Sequence, residues 1–163
     1  MNEEAEARGE KILYKESVSY GIWFYVFMYP LIALYAFLGV VMLIKGDPAS
    51  IAIYGGLFLA LLALYINFRR LNFEITDDEV RFGFGIIQKR FALGGIVSCE
   101  PYTLTFKNYL GYGIRYGRDG TTAYNTRNGP GVKIVVEGAK RPYVISISGV
   151  EDVCKIIDSR RKK

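Results

Sequence analysis

Residues 17–44 read "SVSYGIWFYVFMYPLIALYAFLGVVMLI", 28 consecutive positions without a charged side chain. At ~1.5 Å per residue, a helix of that length spans the ~30 Å hydrocarbon core of a bilayer with some tilt. Residues 51–68, "IAIYGGLFLALLALYINF", are a second uncharged run, 18 residues long and sufficient for a nearly upright crossing. Between them lies "KGDPAS", 45–50, whose Gly46 and Pro48 break a helix, so the two runs fold back as an antiparallel hairpin. A secretory signal would have a shorter apolar stretch followed by a small-residue cleavage site, and a buried helix pair in a soluble core would show a polar face. The pattern therefore predicts a cytoplasmic N-terminal tail over 1–16, an α-helical transmembrane hairpin over 17–68, and a domain over 69–163.

The side on which that domain lies is read from lysine and arginine near the helix ends. Arg8, Lys11 and Lys15 precede the first run and Arg69 and Arg70 follow the second, against Lys45 alone in the connection. Both termini are expected in the cytoplasm, making a multi-pass protein of the cell membrane. Tyr20, Trp23, Tyr25 and Tyr65 are expected at the same, inner, interface. Pro30 is expected to kink the first helix. Ala52, Gly56 and Ala60 form a small-xxx-small row, which serves either packing within the hairpin or contact with another membrane subunit, a homodimer included. No ionisable group lies inside either run, so the hairpin reads as an anchor rather than an ion or proton pathway.

Beyond the hairpin the hydrophobic period changes. "LNFEI", "VRFGF", "IIQKRFAL", "GIRYG", "TTAYN", "VKIVVE" and "PYVISI" alternate apolar and polar residues at a period near two, the signature of strands. "TDDE", "RDG", "RNGPG" and "EGAKR" separate them as turns. In "SGVEDVCKIIDSRRKK" the period becomes helical: Val150, Val153, Cys154, Ile156 and Ile157 share one face, with Ser148 as N-cap and Glu151 as its capping-box partner. Seven antiparallel strands followed by one amphipathic helix are expected to form a partly open barrel closed by that helix.

This order, and the segment "FEITDDEVRFGFGIIQKRFALGGIVSCE" straight after a two-helix hairpin, resembles the bacterial and archaeal membrane proteins that carry a pleckstrin-homology-like (PH-like) domain. The residues that carry the resemblance are Phe73, Ile75 and Thr76 entering a turn, Gly83 and Gly85 ending the next strand, and Arg90, Leu93 and Ile96 leading into another. The resemblance covers roughly residues 17–163 and implies a membrane-tethered interaction domain.

The glycine-rich run "YLGYGIRYGRDGTTAYNTRNGPG", 109–131, raises the question of a phosphate-binding loop. Gly111, Gly113 and Gly117 miss the dinucleotide spacing by one residue, a strand rather than a helix follows, and no Gly-Lys-Ser/Thr is present. The glycines read as turns, with Asp119-Gly120 and Asn128-Gly129 at hairpins. Catalytic chemistry has little to work with. The chain has no histidine, and Cys99 and Cys154 alone hold neither a zinc ion nor a nucleophile–base pair. Cys154 reads as a core residue, and a cytoplasmic location argues against a disulfide. Asp77, Asp78 and Glu79 read as a solvated turn. No enzyme activity, catalytic residue, cofactor or metal is expected.

Residues 71–163 carry 15 Lys and Arg against 10 Asp and Glu, and four of the 15 are the terminal Arg160, Arg161, Lys162 and Lys163. Nucleic-acid binding is not expected of so nearly neutral a domain. Two surfaces remain. Tyr112, Arg115, Tyr116, Arg118, Tyr124 and Arg127 mix aromatic and guanidinium groups in the manner of a protein interface, or are ordinary solvent-facing residues. Arg69, Arg70 and the tail Arg160–Lys163 suit anionic lipid, although the turn at which phosphoinositide-reading PH domains place basic residues is here "TDDE". The expected function is a scaffold or accessory subunit that binds another protein at the inner membrane face, with anionic-lipid sensing as the alternative.

Overall fold

The computed structural model describes residues 11–161. Two compact units are present among the described residues: Tyr20–Arg69, and residues 11–19 together with 70–161.

The first unit is the helical hairpin. Helix α1 runs Ile22–Lys45 and α2 runs Pro48–Phe68, ~36 and ~32 Å long by helical rise. Both are long and apolar enough to cross a bilayer. The reversal is shorter than expected, because Gly46 adopts φ 70° and its N–H bonds back to the Met42 and Leu43 carbonyls, while Pro48 already opens α2. Pro30 is accommodated inside α1. Tyr20 stacks on Phe24 at 4.3 Å, and the Tyr29 and Tyr65 hydroxyls lie 3.0 Å apart, so two polar groups on facing helices satisfy one another. Ala52, Gly56 and Ala60 are exposed, and a Cβ on Gly56 would meet nothing within 4 Å, so this row does not pack the hairpin.

The second unit has nine strands among the described residues. Strands β1 (Ile12–Ser19), β2 (Arg70–Thr76), β3 (Glu79–Phe84) and β4 (Ile87–Ala92) form an antiparallel sheet in that order. A 3₁₀ turn at Leu93–Gly95 leads to β5 (Ile96–Leu104), and β6 (Gly113–Tyr116), β7 (Thr122–Asn125), β8 (Gly129–Val136) and β9 (Tyr143–Ser146) complete a second sheet ordered β5-β8-β9-β7-β6. A four-residue helix α3, Phe106–Tyr109, lies between β5 and β6, and α4 runs Val150–Arg161.

Several expectations are corrected here. Two open sheets replace the single partly open barrel. The strands number nine rather than seven, and β7 pairs with β9 in parallel. Strand β1 takes residues that the charge pattern assigned to the tail and the first span: Val18, Ser17 and Ser19 are uncharged because they pair with β2, not because they enter lipid. Lys15, counted above as a flanking charge, pairs with buried Glu74 at 3.5 Å. Strand β5 contains Pro101, which a central strand would not tolerate but which is permitted at this sheet edge.

The core lies where the sheets meet. Phe73 stacks on Phe82, which meets Tyr124 edge-on at 5.1 Å and Tyr143 at 5.5 Å, and Phe84 stacks on Tyr124. Each fully buried large apolar side chain contributes ~1.5–3 kcal/mol. Helix α4 buries Val153, Cys154 and Ile157 as its period requires. Cys154 forms a disulfide with Cys99 of β5, Cα–Cα 5.3 Å, overturning the expectation of free thiols. The compartment argument concerned whether thiols stay reduced, whereas β5 and α4 bring these two within bonding geometry.

The start of α4 is also built differently. Gly149, not Ser148, supplies the first helical carbonyl, accepting from Val153 N–H at 3.1 Å. The capping carboxylate comes from Glu16 on β1, which accepts from Ser148 N–H at 2.8 Å and Gly149 N–H at 3.3 Å. Ser148 Oγ accepts instead from Arg127, and Glu151 is an exposed partner of Lys155. Burial opposes ionisation of Glu16, but hydrogen bonds from Tyr14 and from the backbone and side chain of Ser148 outweigh it and lower its pKa.

Candidate functional site

The segment 104–121 leaves the second sheet, makes one helical turn and returns. Tyr109 anchors it: its ring packs with Leu104, Ala123 and Val144, and its hydroxyl lies 2.8 Å from Thr121 Oγ1. Asp119 ties the facing turn down, accepting from Tyr102 Oη at 2.5 Å and from Thr121 Oγ1 at 2.7 Å and N–H at 3.1 Å. Asn108 donates to Tyr102 and accepts from Arg118 N–H. Burial alone would raise the Asp119 pKa, but the Tyr102 and Thr121 hydrogen bonds hold it down at about 2. Burial and the Asp119 carboxylate raise that of Tyr102. The carboxylate is thus committed to holding α3 in place.

On this support the chain makes an unusual turn. Leu110 follows α3 at φ 50°, ψ 40°, the left-handed region that ordinarily goes to glycine, and its N–H bonds to the Phe106 carbonyl at 2.7 Å. Leucine there costs ~1–2 kcal/mol. Leu110 is 60% exposed, and in the same segment Phe106 is 52% and Tyr112 39% exposed. The Phe106 and Tyr112 rings meet edge-on at 6.3 Å. Arg115 Nε donates to the Tyr112 carbonyl at 3.1 Å, and exposed Lys107 lies on α3 itself. The segment thus exposes three large apolar side chains, two of them in ring contact, together with the cations Lys107 and Arg115.

Of the six residues expected to form a partner surface, the structure places Tyr112 and Arg115 on this segment. Arg118 lies at the neighbouring turn, its N–H held by Asn108. Tyr116 points elsewhere and takes the Arg141 guanidinium over its ring at 5.0 Å. Arg127 is committed to Ser148. Tyr124 is a correction: it is 3% exposed, held between Phe82 and Phe84 in the core, and cannot touch a partner. Its place was hidden because "TTAYN" alternates, yet all four residues of β7 are buried. Phe106 and Leu110 were not anticipated. The available signal was "FKNYLGY", with large apolar residues outnumbering polar ones in a segment that also contains turn residues.

The basic residues are dispersed. Arg69 caps α2 and Arg70 opens β2. Arg160 pairs with Asp77 at 3.4 Å, at the other end of β2, ~20 Å from Arg70 by strand rise. Arg161 ends α4, and Lys162 and Lys163 lie outside the described residues. The glycine run holds turns: Gly120 takes φ 80° and its N–H bonds to the Gly117 carbonyl, and Gly129 takes φ 115° as β8 begins. Among the described residues, no group of three or more Cys, Asp or Glu is placed to hold a metal ion.

Fold and site together define a class: a β-rich domain that follows two apolar helices, with exposed aromatic and aliphatic side chains on the segment between β5 and β6. The chain matches no protein-family model, no curated protein and no solved structure.

Proposed function

We propose that this protein is a non-catalytic, membrane-anchored interaction protein, a scaffold or accessory subunit whose β domain binds another protein through Phe106, Leu110 and Tyr112. The observation that carries the reading is Leu110, a leucine in a left-handed conformation that ends α3 at an energetic cost and leaves a large apolar side chain exposed where glycine would serve the turn. The fitting partner presents an apolar side chain to the patch and acidic groups to Lys107 and Arg115. The resemblance to PH-like domains contributes the notion of a membrane-tethered β domain with a final helix and no ligand site.

The test is native mass spectrometry of the full-length protein extracted gently from its own membranes. The wild type is expected in a complex with a second polypeptide, and the double variant Phe106→Ser, Leu110→Ser is expected to lose it. A complex unaffected by the double variant, or none for the wild type, would contradict the proposal.

Arg69 and Arg70 against Lys45 favour a cytoplasmic domain. The Cys99–Cys154 bond favours the opposite side, since disulfides persist in oxidising compartments. Labelling a cysteine introduced at exposed Lys140 in intact cells decides between them: protection until the membrane is opened supports the cytoplasmic side.

A further inference from the structure

Strands β3 and β4 are joined by two residues, Gly85 and Ile86, because Phe84 pairs with Ile87. Gly85 takes φ 43° and Gly83 takes φ 150°, where a Cβ would run into the Ile87 carbonyl oxygen. These glycines account for the tightness of the hairpin but not for its apex. Gly85 already meets the positive-φ requirement of such a turn and leaves the second position open to any residue, where a β-branched side chain adds nothing to the core. The Ile86 side chain is nevertheless 91% exposed, next to Ile87 at 41%.

The register shows which end of the sheet this apex occupies. Ser19 pairs with Arg70, Leu71 with Phe84, and Phe84 with Ile87. The apex therefore stands at the end of the sheet where the chain departs into Tyr20 and returns through Arg69, one residue step, ~3.3 Å, beyond the Leu71–Phe84 pair and so level with the Ser19–Arg70 pair. Charge is sorted along the same axis. Arg70 and exposed Lys89 lie toward this end, whereas Asp77, Asp78 and Glu79 lie at the other. An apolar tip with Arg70 and Lys89 behind it is complementary to the boundary between anionic headgroups and acyl chains, the carboxylate level with Lys89, Glu16, being engaged by the Ser148 and Gly149 N–H groups.

We infer that the β3–β4 turn is a membrane contact of the β domain itself: Ile86 and Ile87 enter the headgroup–acyl boundary, and Arg70 and Lys89 meet anionic headgroups. The inference rests on the reading of α1 and α2 as membrane spans. It differs from lipid capture by the C-terminal tail, whose Arg160 is bound to Asp77 at the far end of the sheet.

The test uses full-length protein in vesicles of phosphatidylcholine with phosphatidylglycerol, spin-labelled at one introduced cysteine: Ile86→Cys, Asp78→Cys at the opposite turn, or Leu34→Cys within α1. The wild type, taken through the same labelling, supplies the background. Relaxation by oxygen, which partitions into lipid, is compared with relaxation by a water-soluble nickel complex. The expected result is a label at 34 deep in lipid, a label at 86 several-fold more accessible to oxygen than to nickel, and a label at 78 with the reverse preference. A lipid-exposed 34 with 86 behaving like 78, or with 86 shielded from both reagents, overturns the inference while leaving the spans in place. A label at 34 accessible to nickel overturns the membrane reading and the inference with it.

Discussion

Replacing Leu110 by glycine separates the cost of the exposed patch from its use. Leucine at φ 50° carries a penalty of ~1–2 kcal/mol, which glycine does not pay, while glycine loses ~0.5–1 kcal/mol more backbone entropy on folding. The balance predicts a domain whose stability is unchanged or raised by up to about 1.5 kcal/mol. Burying a whole leucine side chain is worth ~1.5–3 kcal/mol, and 60% of this one is still exposed, so a partner that covers it gains ~1–2 kcal/mol. Leu110→Gly is therefore expected to weaken the complex ~5- to 30-fold without unfolding the domain. Leu110→Ala should weaken it similarly while keeping the strain, and so without the gain in stability. Stability is read from the tyrosine near-UV circular dichroism on heating, and affinity from titration of the purified complex. Destabilisation beyond ~2 kcal/mol, or an unweakened complex, would refute the argument that strain at this residue maintains a binding surface.

Other outcomes follow from the supports of the domain. Cys154→Ser should cost ~4 kcal/mol in denaturant unfolding, the chain-entropy value for a crosslink between residues 55 apart, and reduction of the wild type should have the same effect. Glu16→Gln replaces the carboxylate at the start of α4 and should cost ~1–2 kcal/mol, seen as faster amide exchange across Ser148–Val153. Asp119 titrates at about 2 when folded, below its ordinary value of ~4, so its contribution is complete above the higher value and lost as pH falls through the lower. The difference in unfolding temperature between wild type and Asp119→Asn should therefore shrink across that interval and be flat above it.

The hairpin was legible because uninterrupted apolar length is a property of sequence alone, and α4 was legible because its helical period survives in packing. The limits of both were not. Residues 17–19 look the same whether their lack of charge serves lipid or a strand pair, and only the partner strand β2 distinguishes them. The cap of α4 comes from Glu16, 132 residues from Ser148, so a local motif such as Ser148 with Glu151 could only mislead. Alternation located β7 and β9 but not their parallel pairing, because period carries no information about neighbours. The patch was half legible: the glycine-rich run drew attention to Tyr112 and Arg115, whereas the exposure of Leu110 depends on a backbone angle that no composition encodes. Tyr124 shows the converse, an aromatic residue among arginines that the second sheet turns inward.

Photocrosslinking tests the central claim most directly. A photoreactive amino acid is placed at Phe106, Tyr112 or Lys140 of the full-length protein and irradiated in its own membranes. The account predicts one adduct of the same mass from 106 and 112, absent from 140 and diminished by Leu110→Gly. Adducts from 106 and 112 that match those from 140, or that Leu110→Gly leaves unchanged, would contradict it.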